Sequence, residues 1–257
     1  MGIYTTEITS DSLNSDNPLH QRLLAAYYLA LPYVTGDLLE VGCGEGRGIE
    51  VLQTQCKTYM AIDKIGAALA KLSDRYPTAE FKQMHIPPFS GLDDNSFDTV
   101  ISFQVIEHIK DDRAYLREIH RVLRPGGTAL ITTPNIIFTL TRNPWHVREY
   151  LSHELLELAK PIFKQVEMKG IAGSEKVMAY YQQNKQSVKK ITRFDVFNLQ
   201  YKLPASWLRI PYDILNRLNR QNLNQQDQAL VAGITYQDYY LVDHAENGLD
   251  LFGVFTK

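Results

Sequence analysis

The chain has 257 residues, 44% of them hydrophobic and 22% charged, the proportions of an ordinary soluble protein able to bury a large core. Its formal net charge of -2 argues against a general nucleic-acid binder, which carries a basic excess, so no nucleic-acid partner is expected. Two cysteines, Cys43 and Cys56, argue against a disulfide framework.

The opening residues, Met1-Gly2-Ile3-Tyr4-Thr5-Thr6-Glu7, lack the basic segment and apolar core of a secretory signal. Pro18 to Ala26 reads as a helix opened by proline. The longest apolar stretch, Leu23 to Val34, contains Pro32 and is too short to span a bilayer. A cytoplasmic location without a transmembrane segment is the expectation. Apolar strands follow at 38–43, 58–63, 80–85, 97–103, 128–134, 164–170 and 249–256, with helical patterns between them at 67–72 and 115–123. Such alternation predicts a parallel sheet covered by helices on both faces. Pro125-Gly126-Gly127 ends one helix and turns the chain into a strand.

The first strand runs into Gly42-Cys43-Gly44-Glu45-Gly46-Arg47-Gly48. Glycines there let the backbone turn sharply and approach a ligand where a Cβ would collide. A dinucleotide fingerprint, G-x-G-x-x-G, would place its third glycine where Arg47 stands, and no Gly-Lys-Ser/Thr phosphate loop follows. Glu40, just before the loop, would repel a pyrophosphate but suits a ligand ammonium. Asp63 ends the second strand, close to the roughly 20-residue offset of a carboxylate that binds ribose hydroxyls. A ligand with a ribose, an amino group and no pyrophosphate fits this set, as S-adenosylmethionine does.

Residues 38–48 resemble motif I of class I S-adenosylmethionine-dependent methyltransferases. Ser96 to Ser102 is similar to the fourth strand of that family, Phe103 to Ile109 to the segment after it, and Leu123 to Gly127 to the turn before the fifth strand. The resemblance covers roughly residues 36–170 and the last strand, in the expected order. It implies an α/β fold: a seven-stranded, mostly parallel, doubly wound sheet with its last strand antiparallel, and ligands above the strand carboxyl ends. Residues 1–173 and 234–257 would form the cofactor domain. Its implied cofactor contacts are Glu40, Gly42, Cys43, Gly44, Gly46, Asp63, Lys64, the backbone near Met84, Phe103 and Gln104. Arg22 is either a partner of the cofactor carboxylate or part of a solvated helix face. Where relatives often carry an acidic residue near the adenine, this chain has Gln83 and Met84. His85 beside them reads as a loop histidine. No Cys/His/Asp/Glu set at ligand spacing stands out, so no metal is expected.

Methyl transfer demands alignment of a nucleophile and exclusion of water, and a hydroxyl acceptor also needs a base. The loop Arg142 to Tyr150 brings His, Arg, Glu, Tyr and Trp together after the fifth strand. His146 is the first choice as base, with Tyr150 and Arg148 orienting substrate; the competing reading is a structural loop with ordinary ion pairs at Arg148 and Glu149. His108 is either a base or part of a helix start, with Asp111 and Asp112 near that helix's N-terminal dipole.

Residues 174–233 form an insertion before the last strand, with nine Lys and Arg against four Asp and Glu. Helical patterns lie at 176–197 and 205–220; Trp207, Leu208, Ile210, Ile214, Leu215 and Leu218 make a stripe expected to dock on the sheet domain. Gln221 to Gln228 is expected to be a mobile connector. The basic excess suits a lid over an anionic or lipid-linked acceptor and leaves peripheral membrane contact open. The sequence therefore predicts a methyltransferase acting on a small-molecule acceptor. The alternative is a non-catalytic S-adenosylmethionine-binding module; a nicotinamide oxidoreductase is disfavoured by Arg47 and Glu40.

Overall fold

The computed structural model describes residues 14–195 and 197–257. The opening residues read for a signal lie outside that range, as does Val196 within the expected 176–197 helix. Eight strands form one sheet: β1 (Asp37–Val41), β2 (Thr58–Asp63), β3 (Glu80–Gln83), β4 (Phe97–Phe103), β5 (Leu123–Pro134), β6 (Gln165–Gly173), β7 (Tyr239–Val242) and β8 (Asp250–Thr256). Their order is β3-β2-β1-β4-β5-β8-β6-β7. The β1–β2, β2–β3, β1–β4 and β4–β5 pairs are parallel, and β8 runs antiparallel to both β5 and β6. The expected seven strands become eight because β7, only four residues long, adds an edge beside β6 directly after the insertion. So short a strand carries too little alternation to stand out in sequence.

The helices are α1 (Asn17–Ala30), α2 (Ile49–Leu52), α3 (Gly66–Arg75), α4 (Asp112–Val122), α5 (Ser152–Ala159), α6 (Glu175–Thr192), α7 (Leu199–Lys202), α8 (Ala205–Gln226) and α9 (Gln228–Gly233). The chain divides into a sheet unit, Ala26–Ile137, Arg148–Ala172 and Leu241–Lys257, and a helical unit. Among the described residues the helical unit gathers 14–25, 138–147 and 173–240, so it is larger than the expected insertion.

In the sheet unit, both faces of the central strands are covered, and their sequences are accordingly near-continuous apolar runs. Leu38, Leu39, Val41, Val100, Ile101, Ala129, Leu130, Ile131, Leu251 and Phe252 are buried. On α4, Tyr115, Leu116, Ile119 and Val122 recur at helical spacing and join that core. Asp111 caps α4, its side chain accepting from the Ala114 N–H at 2.8 Å. Glu107 and His108 belong instead to a separate 3-10 turn, Ile106–His108.

The helical unit is tied by polar contacts. Asn17 donates to the Val231 and Ile234 carbonyls at 2.8 and 2.9 Å, and Arg220 pairs with the buried Asp16 at 2.7 Å. Two sequence expectations fail here. The 221–228 tract is no connector: α8 runs through Gln226, Leu223 is buried, and Asp227 caps α9 by accepting from the Leu230 N–H at 2.9 Å. A buried leucine and an i,i+4 bond from Gln226 to Asn222 hold this polar tract helical. The Trp207–Leu218 stripe is not docked either; Trp207, Ile210, Ile214, Leu215 and Leu218 are exposed.

Candidate active site

The strand order reverses between β1 and β4, which opens a crevice at the carboxyl ends of those strands, where open α/β sheets bind ligands. The loop after β1 lies there. Its first amide, Gly42 N–H, still belongs to the sheet, donating to the Ile62 carbonyl at 2.7 Å. The chain then passes through Gly44 at φ +54, a left-handed conformation that suits glycine. A Cβ built on Gly44 meets nothing within 4 Å, so the loop leaves open space at this point.

Asp63, at the end of β2, faces the same loop. One carboxylate oxygen accepts the Gly44 N–H at 2.9 Å and the other accepts the Ile65 N–H at 2.9 Å. Each oxygen keeps a further lone pair, so the half-buried carboxylate can still accept a diol. The carboxylate therefore shapes the glycine loop as well as lining it.

Glu40 departs from its expected role as a ligand contact. It is 1% exposed, and its two oxygens accept the hydroxyls of Tyr27, at 2.7 Å, and Tyr59. Burial raises its pKa, opposed by those two hydrogen bonds. The ring of Tyr27 reaches Glu40 only because Gly48 has no side chain; a Cβ there would sit 2.0 Å from the ring. Tyr27 and Tyr59 were missed in the sequence. Their only signal is the period-2 alternation Tyr59, Ala61, Asp63, which puts Tyr59 on the face of the strand that carries Asp63.

The other expected cofactor contacts separate by geometry. Cys43 is buried, and desolvation pushes its thiol well up, with the charges of Glu40 and Asp63 adding to the shift. It packs as an apolar group. The Met84 N–H is already spent on the Asp63 carbonyl at 2.8 Å, so the expected backbone amide donor is not available at that residue. Its side chain packs on the core. Lys64 is exposed, and its carbonyl accepts Gln83 Nε2 at 3.0 Å. Gly46 turns the loop toward α2, its N–H on the Cys43 carbonyl at 2.9 Å. Phe103 stacks edge-on against Tyr27, with centroids 5.0 Å apart. Gln104 directly follows β4 at φ +57, held by its N–H on the Thr132 carbonyl at 2.9 Å. Its carboxamide reaches Thr132 Oγ1 and the buried Asp250, each at 3.3 Å. A non-glycine residue kept in that region at a strand end marks a position where the surroundings impose the backbone. Arg22 lies on the part of α1 that belongs to the helical unit.

The catalytic candidates also divide. Tyr150 is fully buried and donates its hydroxyl to Asp112 at 3.0 Å. Arg148 lies over its ring and pairs with Asp112 and Glu154. Tyr150 is thus a core residue and Arg148 its ion-paired cover. His146, in the helical unit, sits in a turn closed by Asn143. Its Nε2 lies 2.9 Å from Asn143 Nδ2, and the Asn143 carboxamide oxygen accepts the Trp145 N–H. His108 is half-buried in the 3-10 turn beyond β4, at the carboxyl edge of the sheet.

A family model described as a methyltransferase domain matches residues 39–131. Its span includes the glycine loop, Asp63, Gln104 and His108. A probable S-adenosylmethionine-dependent methyltransferase of Mycobacterium tuberculosis is 38% identical over 160 residues, 60% of this chain and 58% of that protein. A similarly described protein of Mycolicibacterium smegmatis is 36% identical over 169 residues, 63% of this chain and 65% of its own length. The matched segment thus spans less than two thirds of either relative. A crystal structure from Thermotoga maritima, described as a S-adenosylmethionine-dependent methyltransferase and possible histamine N-methyltransferase, superposes with a TM-score of 0.56. At 15% identity it covers 93% of this chain and 91% of its own, so this chain shares its fold.

Proposed function

We propose that this chain binds S-adenosylmethionine and transfers a methyl group to a small-molecule acceptor. The observation that carries this reading is the Asp63 carboxylate closed on the Gly44 N–H, beside the open space where a Gly44 side chain would lie. That cradle fits a ribose: acceptor lone pairs for two hydroxyls, and a backbone that a ligand can approach without meeting a Cβ. Gly42 to Gly46, Asp63 and Gln104 would hold the cofactor, with Glu40 supporting the loop from beneath through Tyr27 and Tyr59. The names of the mycobacterial relatives agree with that choice of cofactor.

When bound, S-adenosylmethionine supplies a methyl group made electrophilic by its sulfonium. The chain's own task is to hold the acceptor in line and exclude water. Removal of a proton from a hydroxyl or amine acceptor falls to an imidazole, His108 beyond β4 or His146 in the 143–150 loop. His146 Nε2 is already engaged with Asn143, which fixes the orientation of its ring.

Incubation with methyl-labelled S-adenosylmethionine and fractionated metabolite and lipid extracts tests the reading. Wild type should label an acceptor and Asp63→Ala should not. His108→Ala and His146→Ala then show which imidazole lowers kcat. Failure of wild type to label any fraction, with S-adenosylhomocysteine bound, would contradict methyl transfer.

A further inference from the structure

Helix α8 is built inside out. Taken at roughly 100° per residue, Ile210, Ile214, Trp207 and Leu218 fall on one arc of the helix. An amphipathic helix that packs only on its own protein turns such an arc inward. Here it faces out: Trp207 and Ile210 are both 71% exposed, and Ile214 and Leu218 are exposed beside them. The buried residues of α8 are Asn219 and Leu223. Asn219 is buried, accepting from Ser187 at 2.5 Å and donating to Asn184 at 2.7 Å, while Arg220 reaches Asp16. Phe194 and Phe197, which precede α8 in the chain, are also exposed, 74% and 72%. An exposed apolar arc of this kind along one helix marks a site of interaction.

The charge around this face indicates what covers it. The four acids of residues 174–233 are engaged in the fold or lie at a helix start. Asp195 accepts the Leu199 and Gln200 amides, Asp213 accepts Trp145 Nε1, Asp227 caps α9, and Glu175 opens α6. Four of the nine cations are left to solvent. Lys189, Lys190, Lys202 and Arg217 are exposed and form no salt bridge among the described residues. Arg193 lies over the Phe194 ring at 4.8 Å. An exposed arc of Trp, Ile and Leu with Arg217 beside it on the helix, in an insertion that carries further unpaired lysines, is the pattern of a helix lying in a membrane interface, its ring at headgroup depth and its cations on anionic lipid. No helix among the described residues is long and apolar enough to cross a membrane.

We propose that the exposed face of α8 docks this protein on an anionic lipid bilayer. This goes beyond methyl transfer and stands independently of it. The apolar arc enters the interface while the flanking cations neutralise headgroups, so binding needs both parts.

Co-sedimentation with vesicles of phosphatidylcholine, with and without phosphatidylglycerol, tests the proposal. Wild type should sediment with the anionic vesicles, stay in solution with the neutral ones, and be released by salt. The triple variant Trp207→Ser/Ile210→Ser/Ile214→Ser and the charge reversal Lys189→Glu/Lys190→Glu/Arg193→Glu should each weaken sedimentation at least about tenfold. Both variants should keep wild-type circular dichroism, since every substituted side chain is exposed, and the charge reversal keeps the test open if the triple variant misfolds. Wild type remaining in solution with anionic vesicles would overturn the proposal, as would equal binding to neutral vesicles. Concentration-dependent dimerisation that the triple variant abolishes, without vesicle binding, would assign the face to a second copy of this chain instead.

Discussion

Gly44→Ala separates the cost of folding the glycine loop from the cost of filling its open space, provided it is compared with Gly91→Ala. Both glycines have positive φ, +54 and +75, and a Cβ on either meets no atom within 4 Å. The folded state therefore loses only backbone strain in each variant, roughly 1–2 kcal/mol. For a protein of this size that lowers Tm by about 2–8 °C, similarly in both. Ligand binding should divide them. Gly44 lies beside Asp63 and donates to it, whereas Gly91 lies in the exposed connection after β3. A methyl group placed where the ribose should approach costs about 1–3 kcal/mol as overpacking. That is about a 5- to 150-fold loss of affinity for S-adenosylhomocysteine. Thermal unfolding and calorimetric titration of the two variants give both quantities. Equal affinities in the two variants, or a loss in Gly91→Ala as large as in Gly44→Ala, would refute the placement of the cofactor at this loop.

Glu40 should leave a mark on the pH dependence of stability. Burial raises its pKa above the ordinary 4.5, so above pH 4.5 the folded chain retains a proton that the unfolded chain releases. Its contribution to stability falls as pH rises through the window between 4.5 and the raised value, and Glu40→Gln should remove that fall. Urea unfolding of both proteins from about pH 4 to about pH 8 checks it, parallel curves being the contrary result. Tyr150→Phe should lose about 1 kcal/mol with the Asp112 hydrogen bond and leave kcat unchanged. A kcat lower by about 100-fold or more would restore Tyr150 as an acid–base group.

The sheet was legible because its central strands are buried on both faces and read as apolar runs; β7, at the edge and four residues long, was not. The glycine loop and Asp63 were legible because their chemistry is local: a turn, and a carboxylate at a strand end. Glu40 misled because a carboxylate before the loop looks available, and only tertiary packing brings Tyr27 from α1 and Tyr59 from β2 onto it. Met84 misled for a similar reason, since the ladder that takes its amide depends on strand register. The α8 stripe has the spacing of a core-facing helix, and periodicity alone does not say which way such a face turns. Its orientation follows from Asn219 and Arg220, whose partners lie 32 or more positions away in the chain.

The most direct test of the cofactor assignment is calorimetric titration of wild type and Asp63→Ala with S-adenosylhomocysteine and with NAD. Wild type should bind S-adenosylhomocysteine and give no heat with NAD, and Asp63→Ala should lose the binding together with the acceptor that shapes the Gly44 turn. Tight NAD binding by wild type, or S-adenosylhomocysteine affinity indifferent to Asp63, would contradict the assignment.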